Sequence, residues 1–145
     1  VHTTGHGYAL DSFLVMDASQ DKAAYRDVMN YIEYALAEQI ANASSLPEPA
    51  FGRLSRQLKH FPIKPQVDIR RDEKGRYILS LVAGDRPGLL ARIAYILTRH
   101  QVLIRSAKIN TLGARAEDTF WIDGTALRDE NARSVLRDAL TTQLA

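Results

Sequence analysis

One segment of this 145-residue chain occurs twice, and a repeat fixes the unit from which a fold is assembled. Residues Thr3 to Val15 reappear as Thr111 to Ile122, in register at Thr3/Thr111, Gly5/Gly113, Asp11/Asp118 and Phe13/Phe120, and each copy ends on a β-branched residue. The second copy has one residue fewer between its glycine and its aspartate. The pattern predicts a strand, a helix and another strand ahead of the second copy, whereas the first copy starts at the head of the chain. The expectation is that the first unit is truncated and that the chain is a piece of a longer protein, whose function it serves.

The intervals between the copies predict the elements. Residues 8–16 alternate as a strand does, entered through the Gly5-His6-Gly7 turn. From Lys22 to about Ala43, Tyr25, Val28, Ile32, Leu36 and Ile40 recur at three- and four-residue spacing, which predicts an amphipathic helix. Four of the five prolines (Pro47, Pro49, Pro62, Pro65) follow, where the phasing is lost, so 44–65 reads as a linker with a short helical piece within 50–59. The domain expectation is 1–43 as the C-terminal half of a first unit, 44–65 as linker and 66–145 as a complete second unit.

That second unit opens with Gln66–Arg70, the turn formers Asp72-Glu73-Lys74-Gly75 and Tyr77–Ala83, a hairpin. Asp85-Arg86-Pro87-Gly88 then launches a helix with Leu89, Leu90, Ile93, Ala94 and Leu97 on one face, Pro87 standing in its first turn. Val102–Asn110 and Glu117–Asp123 read as strands joined through Gly113. Asp129 caps a last helix that carries Ala132, Val135, Leu136, Ala139 and Leu140. The order ββαββα is that of an α+β, ferredoxin-like fold, a four-stranded antiparallel sheet with both helices on one face. The usual βαββαβ order has a fourth strand at its end. Here Gln66–Arg70, antiparallel beside Tyr77–Ala83, is expected to take that place at the sheet edge.

Gly84-Asp85-Arg86-Pro87-Gly88-Leu89-Leu90, followed by Ala107-Lys108-Ile109-Asn110-Thr111-Leu112-Gly113 and Glu117-Asp118-Thr119-Phe120, resembles an ACT domain. More narrowly, it resembles the C-terminal ACT pair of the bacterial bifunctional uridylyltransferase/uridylyl-removing enzymes. The resemblance covers residues 66–145 and the first unit from its third strand onward. It implies a regulatory module that senses glutamine and thereby switches its parent between uridylylating and deuridylylating the PII signal protein. It also implies that the nucleotidyltransferase and hydrolase domains, with their need for Mg, lie upstream. This chain itself is expected to hold no catalytic residue, metal or cofactor. A homodimer is a further expected partnership. Alternatives are a dimerisation or packing module without ligand, or the amino-acid sensor of a different ACT enzyme.

The loop residues support a small-molecule role on their own chemistry. Amides around Gly88, Leu89 and Leu90 at a helix start suit a carboxylate, Gly88 lets it approach, and Asp85 can pair with an α-ammonium. Asn110 is a candidate for a side-chain amide. Arg86 and Pro87 complete the candidate binding set, and a Gly88→Val change is expected to spoil binding while folding survives. The bland alternative is plain helix capping by Asp85.

Composition narrows the other classes. With no cysteine, a disulfide framework and a Cys-based zinc site are excluded, and a reducing, cytoplasmic setting is expected. No apolar run approaches the ~20 residues of a membrane span. Residues 53–76 carry 8 basic and 3 acidic side chains against 2 and 7 in 1–52. A solvated linker beside an acidic neighbour accounts for that better than nucleic-acid binding does. The RNA-binding motif of ββαβ-type sheets is absent around Trp121, which reads instead as an interface residue. Glu117 and Asp118 point to opposite faces of a strand and make no acid–base pair.

Overall fold

The computed structural model describes residues 2–3, 9–10, 25–42, 48–50 and 52–145. Most of the first copy of the repeat lies outside the described residues; of the strand expected at 8–16, Ala9–Leu10 is described and is extended. The chain divides into two compact units, one of residues 1–11 with 48–145 and one of residues 12–47.

In the larger unit the short strands β1 (His2–Thr3) and β2 (Ala9–Leu10) come first in sequence. The framework is β3 (Gln66–Arg71), β4 (Tyr77–Gly84), β5 (Leu103–Lys108) and β7 (Arg115–Asp123), with β6 (Thr111–Leu112) turning back on β7. All pairings are antiparallel, and the strands lie in the order β2-β1-β5-β7-β4-β3. The ferredoxin-like α+β reading holds: β4 and β7 are central, and β3 occupies the edge where a terminal fourth strand would lie, with Val67 opposite Leu81 and Arg71 opposite Tyr77. The sequence expectation was a sheet of four strands, and on the far side of β5 the structure adds more. His2 pairs with Ser106 there, and β1 and β2 extend the sheet.

Residues equivalent under the repeat pair alike. Thr3 lies opposite Ala9, and Thr111 lies opposite Ala116.

The helices of this unit are α2 (Arg56–His60), α3 (Leu89–Arg99) and α4 (Glu130–Gln143). One face of the central strands is buried in strict alternation: Tyr77, Leu79, Leu81 and Ala83 on β4, and Ala116, Asp118, Phe120 and Ile122 on β7. Leu89, Ile93, Ile96 and Leu97 of α3 and Leu136 and Leu140 of α4 join that face in one core, so both helices cover the same side. Two members of the expected helix stripes are exposed, Leu90 to 46% and Val135 to 57%, while Ala94 and Ala132 are half-buried. Both exposed residues stand at the margin of their stripe, and Ile96, not anticipated, takes the inner place. Asp129 caps α4 as expected, its Oδ1 accepting from the amides of Asn131 (2.7 Å) and Ala132 (3.3 Å).

The stretch read as linker carries α2, whose Leu58 is buried to 3% exposure. Ser55 caps it by accepting the Leu58 N–H at 3.2 Å. Leu58 lies against Gly84, where an added Cβ would stand 2.9 Å from a Leu58 methyl.

The smaller unit holds α1 (Tyr25–Asn42). Its predicted apolar positions Val28, Ile32, Leu36 and Ile40 are all exposed. Among the described residues no helix is long and apolar enough to cross a membrane.

Candidate functional site

The loop joining β4 to α3 borders a cleft of about 320 Å³. Asp85, Arg86, Gly88, Leu89 and Leu90 line it, so five of the seven residues singled out in the sequence come together. Pro87 and Asn110 do not line it. Ile109, Thr111, Ala116 and Asp118 supply the opposite wall from the end of the sheet.

Gly88 is the N-cap of α3 and has φ +89°, a left-handed conformation that side chains with a Cβ adopt at a cost. That kink places Pro87 before the helix instead of in its first turn. No side chain caps α3, so plain capping by Asp85 is not what the loop is built for. The Leu89 amide donates to the Arg86 carbonyl at 3.1 Å, and the helical ladder starts with Arg92 N–H to Gly88 O at 2.9 Å. The amides of Leu90 and Ala91 precede that ladder at the positive end of the helix dipole.

Around this core the other loop residues are tied down. Pro87 donates no amide, but its carbonyl accepts from Gly52 at 2.9 Å, and an added Cβ at Gly52 would come within 2.6 Å of the proline ring. Arg92 forms an ion pair with Glu48. The segment before β3 is therefore strapped to the loop. Arg86 donates to the carbonyls of Leu144 (3.3 Å) and Ala145 (3.2 Å), which pins the end of α4. Burial, aided by the neighbouring Arg92 cation, lowers the Arg86 pKa from its usual value.

Asp118 is the residue that the sequence reading passed over as a functional candidate. It is 2% exposed, the one buried charged side chain among the described residues. Its Oδ1 accepts the Asn110 amide at 3.1 Å, while Oδ2 is buried without a hydrogen-bond partner. Burial raises its pKa above the ordinary 3.8, the negative Asp85 adds to the rise, and the Asn110 amide opposes it. Asn110 thus enters through its backbone, with its side chain exposed; its carbonyl also accepts from the Glu117 amide at 2.8 Å. Glu117 points the other way, to Arg115 at 2.5 Å, as strand alternation predicted. A signal for Asp118 was present. It shares its strand face with Ala116, Phe120 and Ile122, and it is the aspartate kept in both copies of the repeat.

A buried carboxylate with a free oxygen beside a second carboxylate, facing helix amides across a small cleft, suits a ligand that carries both an ammonium and a carboxylate.

The Asp118 shift has a consequence for stability. A folded-state pKa above the unfolded value means that its contribution is fully present below about pH 4 and is lost as pH rises through the folded pKa. Asp123 acts oppositely: Arg105 holds its pKa down, so its contribution is lost as pH falls below the ordinary value. Urea midpoints measured from pH 4 to pH 8 should fall with pH in the native chain and fall less in Asp118→Asn. Parallel slopes would show that Asp118 carries no such burden.

No family model matches the chain. It is similar to the bifunctional uridylyltransferase/uridylyl-removing enzyme of Chromobacterium violaceum, 54% identical over 145 residues that cover 99% of this chain and 17% of that protein. The enzymes of the same name from Burkholderia thailandensis and Burkholderia mallei are each 49% identical over 146 residues, covering 100% of this chain and 17% of theirs. The chain therefore matches a fragment of this enzyme and spans about a sixth of the length of these curated relatives.

Proposed function

We propose that this chain, which matches a fragment of the bifunctional uridylyltransferase/uridylyl-removing enzyme, is the regulatory region of such an enzyme and senses glutamine in the cleft beside Gly88. The observation that carries the reading is the unpartnered Oδ2 of buried Asp118 on that cleft. In this reading the α-ammonium of glutamine binds between Asp118 and Asp85. The α-carboxylate takes the amides at the start of α3, and the cleft volume suits a small amino acid better than a larger ligand. The parent would use the signal in the cytoplasm to switch between modifying and unmodifying PII.

The strap at 48–60 supplies a route for the signal. It is joined to the loop by the Gly52–Pro87 hydrogen bond, the Glu48–Arg92 ion pair and the packing of Leu58 on Gly84. A ligand that shifts the loop shifts the strap, and a coupling of about 1–3 kcal/mol is typical of such regulation. The identical pairing of Thr3–Ala9 and Thr111–Ala116 supports reading the chain as two copies of one unit. The exposed apolar positions of α1 favour a packing partner for the first unit, such as a second copy of the chain.

Calorimetric titration of the chain with glutamine is the direct test. Saturable heat is expected, with affinity at least about tenfold weaker in Asp118→Asn and in Asp85→Asn and little response to glutarate, which lacks the ammonium. Absence of heat at millimolar glutamine, or equal binding of glutarate, would overturn the proposal.

A further inference from the structure

A second cleft, of about 690 Å³, lies at the opposite end of the sheet and has no part in the site above. It is formed where the β3–β4 turn, the bulge in β5 and the end of β7 meet. Four arginines line it: Arg71, Arg76, Arg105 and Arg128. Two of them are matched by carboxylates, Arg76 by Asp72 at 2.7 Å and Arg105 by Asp123 at 2.8 Å. Arg128 approaches the same Asp123 electrostatically, and Arg71 lies over the Tyr77 ring at 5.2 Å. Four guanidinium groups against two carboxylates leave a positive surplus in a concave space.

The cleft also holds an aromatic wall. Trp121 lies opposite Ile78 and Ser106 in the ladder, on the sheet face that carries no α3 or α4 core residue. Strand alternation puts Asp123, the partner of Arg105, on that same face. The indole and the Arg105 guanidinium thus share one face at this sheet end, and Arg71, opposite the core-facing Tyr77, reaches the same cleft from the other face.

Arginine forks match phosphate oxygens bidentately, and aromatic faces stack on planar bases without regard to sequence. The volume falls in the range of small-molecule sites. We propose that this cleft binds a nucleotide, its base stacked on Trp121 and its phosphates held by Arg105 and Arg128 with Arg71 and Arg76 at the rim. The inference does not rest on glutamine binding. It would give the chain a second input, so that one module reads a nucleotide at one end of its sheet and an amino acid at the other.

Trp121 is the one tryptophan in the chain, so its emission reports on this cleft alone. The whole 145-residue chain would be titrated with ADP, adenosine and pyrophosphate, following emission and, in parallel, heat. ADP is expected to change the emission saturably, with pyrophosphate and adenosine each binding at least about tenfold more weakly. Arg105→Ala and Arg128→Ala, both exposed positions, should each weaken ADP several-fold while circular dichroism stays native. Asp118→Asn should leave ADP binding unchanged. Equal affinity for pyrophosphate and ADP would overturn the proposal, as would heat from ADP without any emission change. Arginine variants that bind ADP normally, or tighter binding of an acidic peptide than of ADP, would overturn it too.

Discussion

Gly88→Val is expected to abolish measurable glutamine binding and also to destabilise the fold, against the sequence-based expectation that folding would survive. At φ +89° a β-branched side chain meets the backbone strain that glycine avoids, which costs about 1–2 kcal/mol or more. For a unit of this size, that corresponds to a fall in melting temperature of about 4–16 °C. If the loop relaxes to a right-handed conformation instead, the amides of Leu90 and Ala91 turn away from the cleft. Gly75→Val separates the two effects. Gly75 also has a positive φ, +76°, but sits in the distant β3–β4 turn, so the mutant should melt lower yet bind glutamine normally. Thermal melts and calorimetry at a temperature where each variant is folded make the comparison. A Gly88→Val protein that binds glutamine as well as Gly75→Val does would remove the loop from the mechanism.

Leu140→Ala should be strongly destabilising, and Val135→Ala nearly silent, although the sequence placed both on the same stripe of α4. Leu140 is 0% exposed within the core that joins α4 to the sheet, and truncating it leaves a cavity worth about 2–5 kcal/mol. That is a large part of the about 5–15 kcal/mol that holds a domain together. Val135 is 57% exposed, and a surface change of this kind stays within about 0.5 kcal/mol. Urea denaturation of the two variants measures the difference directly. Similar midpoints would mean that α4 does not dock as described.

The elements of the larger unit were legible because their periods are strict. Alternation on 77–83 and 117–123, the three-and-four spacing on the two helices and the turn formers at 72–75 each permit one kind of backbone. The order of those elements then set the sheet topology, including β3 at the edge in place of a terminal strand. The loop Asp85–Leu90 stood out as a candidate site from its chemistry and its resemblance to a known domain, and five of its residues line one cleft.

What the sequence determined by itself, then, was the set of local conformations and the rows of residues that share a face. Tertiary structure decided what lies against each row. Periodicity places Leu90 and Ile93 on one stripe, but only the position of the sheet makes one exposed and the other buried. It places Asp118 among apolar neighbours, but only packing strips the water from Oδ2 and raises its pKa. It leaves 44–65 without a pattern, yet Leu58 finds the space that Gly84 leaves open. The arginines of the second cleft are up to 57 positions apart in the chain, from Arg71 to Arg128, and nothing local links them. The physical reason is common to all four. Burial, desolvation and charge convergence depend on distances between segments remote in sequence, and side-chain periodicity within a segment carries no information about those distances.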